Sequence, residues 1–199
     1  MSSAERLNAT FELSAPDRRR APPEGEPEVA FAGRSNAGKS SVLNRITGNR
    51  RTAKVSKTPG RTQMLNFFNV QGGGRLVDLP GYGYAKAGKD QQRQWQAAVN
   101  DYLSNRESLA GLILVMDIRH PDQAYDQELL GWSAESELPT HVLLNKADKL
   151  SRSKQMAALN RMRSSYRDHP TLTMQCFSAT QGLGNDELIT LLQVWLAGG

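Results

Sequence analysis

An eight-residue run, Gly33-Arg34-Ser35-Asn36-Ala37-Gly38-Lys39-Ser40, constrains this chain more than any other feature. It follows the apolar stretch Val29-Ala30-Phe31-Ala32, which reads as a short buried strand. It precedes Ser41 to Thr47, which reads as a helix stopped at Gly48-Asn49. The run fits the pattern G-x-x-x-x-G-K-[ST]. Wrapping a chain around a phosphate brings several main-chain N–H groups onto one point, and side chains at Gly33 and Gly38 would obstruct that approach. The following helix directs its positive end at the same place. Lys39 is suited to neutralising β- and γ-phosphate oxygens, and the Ser40 hydroxyl to ligating Mg²⁺. An ordinary glycine-rich turn is the alternative, and the flanking strand and helix argue against it.

The remaining pattern alternates strands and helices. Leu65–Val70 and Arg75–Leu79 read as strands of an antiparallel hairpin turning at Gly72-Gly73-Gly74. An amphipathic helix is expected over about 91–104, where Trp95, Ala98, Val99, Tyr102 and Leu103 recur at helical spacing. Further strands are expected at Leu112–Met116, Thr140–Leu144 and Leu172–Phe177. Further helices are expected near Gln123–Ala134, at 152–167 with Ser151 as cap, and at 186–197. This alternation predicts an α/β fold: a mainly parallel six-stranded sheet with one antiparallel strand and helices on both faces. Ligands of such sheets bind at the carboxyl ends of the strands. Residues 1–27, rich in proline and charge, read as a leader that could add an edge strand near Phe11–Leu13. Residues 28–197 form the domain itself.

Three more segments fall at that binding edge. Asn145-Lys146-Ala147-Asp148 follows a strand, and the Asp148 carboxylate suits the two donors of guanine, N1–H and the 2-amino group. Adenine has neither donor and would leave the carboxylate desolvated and unpaired, which selects GTP and GDP over adenine nucleotides. Asn145 is expected to hydrogen-bond near the purine, with the Lys146 stem covering the ring. Asp78-Leu79-Pro80-Gly81 ends a strand; Asp78 is placed to reach Mg²⁺ through water and the Gly81 N–H to meet a γ-phosphate. Phe177-Ser178-Ala179 could set main-chain N–H groups on the guanine O6. Thr58 and Thr62, in the aperiodic segment 48–64, are both candidates for a threonine that meets Mg²⁺ only while the γ-phosphate is present.

Composition narrows the class. The 199 residues carry a formal net charge of +5 and one cysteine, and contain no apolar run of the roughly 20 residues that a membrane helix needs. A start of Met1-Ser2-Ser3-Ala4-Glu5-Arg6 lacks a secretory layout, and a single cysteine excludes an internal disulfide, so a soluble cytoplasmic protein without membrane insertion is expected. Cys176 reads as a small buried hydrophobe. His120, His141 and His169 have no metal-ligand spacing and read as surface or packing residues. Trp95, Trp132 and Trp195 read as core. The basic charge concentrates at Arg18-Arg19-Arg20 and over Arg45, Arg50, Arg51, Lys54, Lys57 and Arg61, as a solvated loop or a phosphate-backbone contact.

The wording of the motifs resembles one family. Glu28–Ser41, Lys57-Thr58-Pro59-Gly60-Arg61-Thr62-Gln63, Asp78-Leu79-Pro80-Gly81-Tyr82-Gly83-Tyr84-Ala85 and Asp117-Ile118-Arg119-His120-Pro121 are similar to the EngB (YihA/YsxC) family of bacterial Ras-like, P-loop GTPases, over about residues 10–197. The resemblance implies a G domain hydrolysing GTP with Mg²⁺ as a nucleotide-dependent switch. It also implies action in large-subunit ribosome assembly and a need for it in normal division and septation. The implied partner is the large ribosomal subunit or its precursor, with no DNA partner and a monomeric state. Nucleotide contacts carried over by motif are Gly33, Arg34, Ser35, Asn36, Ala37, Gly38, Lys39 and Ser40; Gly60, Arg61, Thr62, Gln63 and Met64; Asp78, Leu79, Pro80 and Gly81; Asn145, Lys146, Ala147 and Asp148; and Phe177, Ser178 and Ala179. The resemblance favours Thr62 over Thr58, so Ser40 and Thr62 would hold Mg²⁺, with Lys39, Thr62, Gly81 and Asn36 acting at the reacting phosphate.

One departure bears on rate. Tyr82 stands where signalling GTPases carry a water-orienting glutamine, so slow intrinsic hydrolysis is expected. Asn36 matches the asparagine with which related assembly GTPases hold K⁺; capping the loop is its simpler role. Tyr82 and Tyr84 lie where a partner would sense the nucleotide. The rival functions are a GTP/GDP-sensing module with incidental hydrolysis and a P-loop ATPase or kinase.

Overall fold

The computed structural model describes residues 6–48, 64–82 and 89–198. Seven strands form one sheet in the order β1-β3-β4-β2-β5-β6-β7: β1 Ala9–Ala15, β2 Glu28–Gly33, β3 Leu65–Val70, β4 Arg75–Asp78, β5 Leu109–Asp117, β6 Thr140–Asn145 and β7 Leu172–Cys176. Among the described residues five α-helices accompany them: α1 Lys39–Thr47, α2 Lys89–Asn105, α3 Ala124–Glu135, α4 Arg152–Ser165 and α5 Asn185–Leu196. Strands β4, β2, β5, β6 and β7 pair in parallel, while β3 runs antiparallel to both its neighbours. The expected mainly parallel α/β architecture with one antiparallel strand is therefore present.

The seventh strand, beyond the six of the domain, is the edge strand that the leader could add, and it is longer than Phe11–Leu13. β1 lies in the leader and pairs with β3 from Ala9↔Val70 to Ala15↔Leu65, with its register broken between Phe11 and Leu13. The extra residue, Glu12, turns its carboxylate to the Arg75 Nε at 2.9 Å. A bulge interrupts the two-residue alternation by which a strand is read from sequence, which is why the segment shows only as a short edge near Phe11.

Alternate residues of the central strands feed opposite faces, as the pleat requires. Ala30, Ala32, Leu112, Leu114 and Met116 join Val99, Tyr102, Leu103, Leu129 and Leu159 beneath α2, α3 and α4. Val29, Phe31, Ile113 and Val115 join Val42, Leu43, Ile46, Leu188 and Leu192 beneath α1 and α5. Every residue of β2 is buried, as expected of a parallel strand covered on both sides. Gly48, at φ 64°, closes α1 in the left-handed conformation that ends helices.

An ionic frame fastens the leader at the end of the sheet away from the Gly33–Ser40 loop. Glu28, fully buried, receives Arg106 through Nε at 2.9 Å and Nη2 at 2.6 Å, and the Tyr102 hydroxyl at 2.8 Å. The Arg106 Nη2 also donates to the Pro22 carbonyl at 2.7 Å, and the Arg75 Nη1 to the Pro23 carbonyl at 3.3 Å.

Several single-residue expectations are refined. Ser151 occupies the N-cap of α4 but its side chain makes no capping bond; the capping box belongs to α3, between Gln123 and Asp126. Cys176 is half-buried, not fully buried, and burial raises its thiol above the usual range. His141 is a packing residue, bonded to the Thr173 Oγ1 at 2.7 Å and the Gln175 Oε1 at 3.0 Å; burial lowers it to about 4, so it is neutral at pH 7. His169 contacts the Ser133 Oγ at 3.0 Å, and His120 is exposed. Trp132 and Trp195 are partly buried against the two cores; the Trp95 side chain lies outside the described residues. Arg18 is paired with Asp101 at 3.2 Å, which removes one cation from the Arg18–Arg20 cluster.

Candidate functional site

The loops that follow β2, β4, β5, β6 and β7 meet at the carboxyl end of the sheet. The first runs Gly33 to Gly38 and enters α1. Its two outer glycines stand where side chains would not fit. A Cβ on Gly38, which lies at φ 96°, would fall 2.3 Å from the Asn145 Nδ2, and one on Gly33 would fall 2.7 Å from the Val115 carbonyl oxygen. Asn36 also takes a left-handed conformation, at φ 70°. The loop is thus a tight concave turn delivering Lys39 and Ser40 as the first residues of a helix, the donor set a triphosphate requires.

Lys39 forms an ion pair with Asp78, the last residue of β4, and both side chains are nearly buried. After Asp78 the chain turns against the first loop. Leu79 N–H donates to the Phe31 carbonyl at 3.0 Å. A Cβ on Gly81 would lie 3.7 Å from the Gly33 carbonyl, and the Tyr82 carbonyl accepts from the Ser35 N–H at 2.7 Å. Sequence reading brought Lys39, Asp78 and Gly81 to one place, and they are found there.

Tyr82 is held in a way the sequence did not reveal. Its hydroxyl donates to Asp126, the N3 residue of α3, and its ring centroid lies 4.3 Å from that of Tyr125. Burial first, and the Asp126 carboxylate next, raise the Tyr82 phenol far above its usual range. A cavity of about 350 Å³ beside it is lined by residues including Leu79, Gly81, Tyr82, Gln96 and Tyr125.

The purine side is built from β6 and β7. Asp148 lies in the short 3₁₀ turn Ala147–Lys149, where the Ser178 Oγ donates to its Oδ1 at 2.6 Å and the Thr180 Oγ1 at 3.2 Å. These hydroxyls, Ser178 foremost, hold the carboxyl below the ordinary carboxylate range, so it is an acceptor at neutral pH. Asn145 also has a part that the sequence did not reveal. Its Nδ2 donates to the Ala37 carbonyl at 2.9 Å and its Oδ1 accepts from the Ala179 N–H at 3.4 Å, so it struts the phosphate loop to the 177–179 loop. Two of the three expected O6 donors are also taken up by the fold: Phe177 N–H bonds the Leu144 carbonyl at 2.9 Å and Ser178 N–H the Leu183 carbonyl at 3.1 Å. Phe177 is fully buried in the core. Only the long Ala179 bond leaves a main-chain donor near the surface.

Lys146, left-handed at φ 63°, extends its Nζ to the Asn36 carbonyl at 2.5 Å and to the Asp117 Oδ2 at 3.0 Å. Asp117 ends β5 opposite Asn145 and is gripped by Arg119 through Nε at 2.9 Å and Nη2 at 2.6 Å. Arg119 first, and Lys146 after it, hold the Asp117 carboxyl far below its usual range. Asp117, Ser178 and Thr180 thus act on the two base-side residues. Met64 is partly buried just before β3, while Thr58, Gly60, Arg61, Thr62, Gln63, Tyr84 and the basic stretch Arg50–Arg61 lie outside the described residues. Among the described residues, no group of three or more His, Cys, Asp or Glu side chains is arranged to hold a metal.

Comparison with known proteins agrees with this geometry. A family described as 50S ribosome-binding GTPase matches residues 28–146. The EngB GTP-binding protein of Xanthomonas euvesicatoria pv. vesicatoria is 51% identical over 190 residues, covering 94% of this chain and 92% of that protein. That of Stenotrophomonas maltophilia is 51% identical over 192 residues, covering 94% and 95%. In fold, a crystal structure of an EngB GTP-binding protein superposes with a TM-score of 0.70 at 22% identity, over 86% of this chain and 100% of that one. Era in complex with MgGDPNP and a fragment of 16S ribosomal RNA superposes with a TM-score of 0.63 at 23% identity, over 87% and 58%. With a phosphate loop, an acid-and-glycine loop and a carboxylate-bearing base loop converging on one edge, the chain belongs to the EngB family of GTP-binding proteins and is a GTPase.

Proposed function

We propose that residues 28–197 act as a G domain whose GTP form docks on the large ribosomal subunit or its precursor, with hydrolysis releasing it. Normal cell division then depends on it through the supply of ribosomes. The observation that carries the nucleotide assignment is the ionised Asp148, fixed by Ser178 and Thr180 and joined through Asn145 to the phosphate loop. The family description supplies the ribosomal direction. A cytoplasmic monomer fits this role, and among the described residues no helix is long and apolar enough to cross a membrane.

The chain's own groups divide the work. Asp148 reads the base, and the Lys146 stem, steadied by Asp117, covers it. Lys39 exchanges Asp78 for phosphate oxygens, which leaves the Asp78 carboxylate available to water. Gly81, packed on the loop, senses the terminal phosphate through its N–H. The glycine cradle and the Ser40 hydroxyl suit Mg²⁺-nucleotide; with Thr62 also contributing, Mg²⁺ would neutralise charge on the β- and γ-oxygens. Tyr82 has no side-chain amide to bring to an attacking water and its hydroxyl is spent on Asp126, so intrinsic turnover is slow.

Sedimentation of the protein with large ribosomal subunits tests the switch: co-migration with a non-hydrolysable GTP analogue and little with GDP is expected, and equal or absent binding in both would refute it. For Asn36 we propose K⁺ as the ligand. Single-turnover hydrolysis is then expected to be about tenfold faster in KCl than in NaCl, since a positioned cation acts on developing charge; equal rates would remove K⁺ from the reading.

A further inference from the structure

Helix α4 carries a concentration of positive charge that the nucleotide site does not use. Its sequence, Arg152 to Ser165, contains four cations and no acid, and Arg167 follows in the next turn. The helix begins directly after the Asn145–Lys149 loop, at the nucleotide end of the sheet, and packs on the edge strand β7 through Leu159 and Met162. At 3.6 residues per turn its outward side has a defined layout. Ser153, Ala157, Asn160 and Ser164, spaced by four, three and four, form an exposed crest of short side chains. Lys154 and Arg161 flank this crest on one side, seven residues apart. Arg152 and Arg163, three turns apart, flank it on the other.

The partners of these cations distinguish them from ordinary surface charge. Arg167 lies 3.6 Å from Asp168, and Arg163 donates to the Met174 carbonyl at 3.4 Å. Arg152, Lys154 and Arg161 are exposed and have no ion pair or hydrogen bond among the described residues. By contrast, the basic cluster at Arg18–Arg20 is partly neutralised by Asp101. Cations on both sides of a low crest about 17 Å long, with Arg152, Lys154 and Arg161 unpaired among the described residues, fit a strand of phosphates lying along the helix. Short side chains let the sugar-phosphate backbone approach, and the flanking arms reach its oxygens from both sides. Such contacts position a particle without reading bases.

We infer that the outer face of α4 is an RNA-backbone docking surface, with Arg152, Lys154 and Arg161 as its principal phosphate contacts. The ribosomal RNA of the large subunit is the RNA meant, so the inference deepens the proposed function and rests on it for that choice. The triple variant Arg152→Gln, Lys154→Gln, Arg161→Gln keeps strong helix formers at all three positions. Its GTP affinity and hydrolysis are expected to match wild type, which also verifies that it folds.

Binding to purified large subunits is then measured against salt. Each lost phosphate contact removes about 0.7–0.9 from the slope of log K on log salt, so the variant should be flatter by about 2. An unchanged slope overturns the inference while leaving the switch reading intact. Should wild type fail to bind the particle at any salt, the switch reading falls, and the same pair of slopes on naked large-subunit ribosomal RNA decides the surface by the same criterion. An α4-dependent contact that survives ribonuclease digestion of the particle would assign the surface to an acidic protein and overturn it also.

Discussion

Asp148→Asn is expected to weaken GTP binding by about a thousandfold and to convert the protein into a xanthosine-nucleotide binder. The carboxylate presents acceptors only, and both atoms of guanine that face it are donors. An amide presents one acceptor and one NH₂, so the guanine 2-amino group would meet a donor. Xanthine carries a carbonyl at that carbon and restores the match. The Ser178 and Thr180 hydroxyls, at 2.6 and 3.2 Å from Oδ1, keep the wild-type group ionised and in place. They can still donate to an amide oxygen, so the fold should tolerate the change. Competition titration of GTP, XTP and ATP against the variant checks this. GTP affinity within a few-fold of wild type would show that Asp148 does not read the base.

The second large effect falls on stability. Arg106→Ala is expected to cost about 3–5 kcal/mol, because it leaves the buried Glu28 without the cation that grips it twice. Arg75, at 3.7 Å from Glu28, is already drawn to Glu12, and the Tyr102 hydroxyl cannot replace a charge. The same substitution breaks the bond from Arg106 to the Pro22 carbonyl, so the leader should loosen with it. Urea unfolding at pH 7 would show the midpoint falling steeply. The frame lies at the far end of the sheet, so GTP affinity of the folded fraction should change little. A loss below about 1 kcal/mol would mean that Glu28 takes up a proton or water instead.

What could be read in advance followed contiguity. Strand, glycine turn and helix at 29–47 are consecutive, so the phosphate loop and its Lys39 and Ser40 were fully legible. Asp148 was legible because its motif closes a single strand. The side chains that support the site were not, because their partners are remote. Ser178 is 30 residues from Asp148, Asn145 is 108 from Ala37, and Asp126 is 44 from Tyr82. No local pattern marks a serine that will meet a particular aspartate, or the bonds that the Asn145 amide makes to the protein's own loops. The edge strand β1 was read only in part, near Phe11–Leu13, since the bulge at Glu12 erases its alternation. Cys176 was read as a small buried hydrophobe from an apolar neighbourhood and is half-buried. It lies on the outermost strand, where only one side is well covered.

The strut at Asn145 sets the distance between the two places that grip a nucleotide. Because that amide bonds both Ala37 and Ala179, the spacing of the phosphate loop from the 177–179 loop is set as the chain folds and need not be ordered at the moment of association. A ligand whose length matches that span gains from being held at both ends simultaneously. One with the right base but too short a chain, such as the nucleoside alone, forfeits the advantage of the linkage altogether.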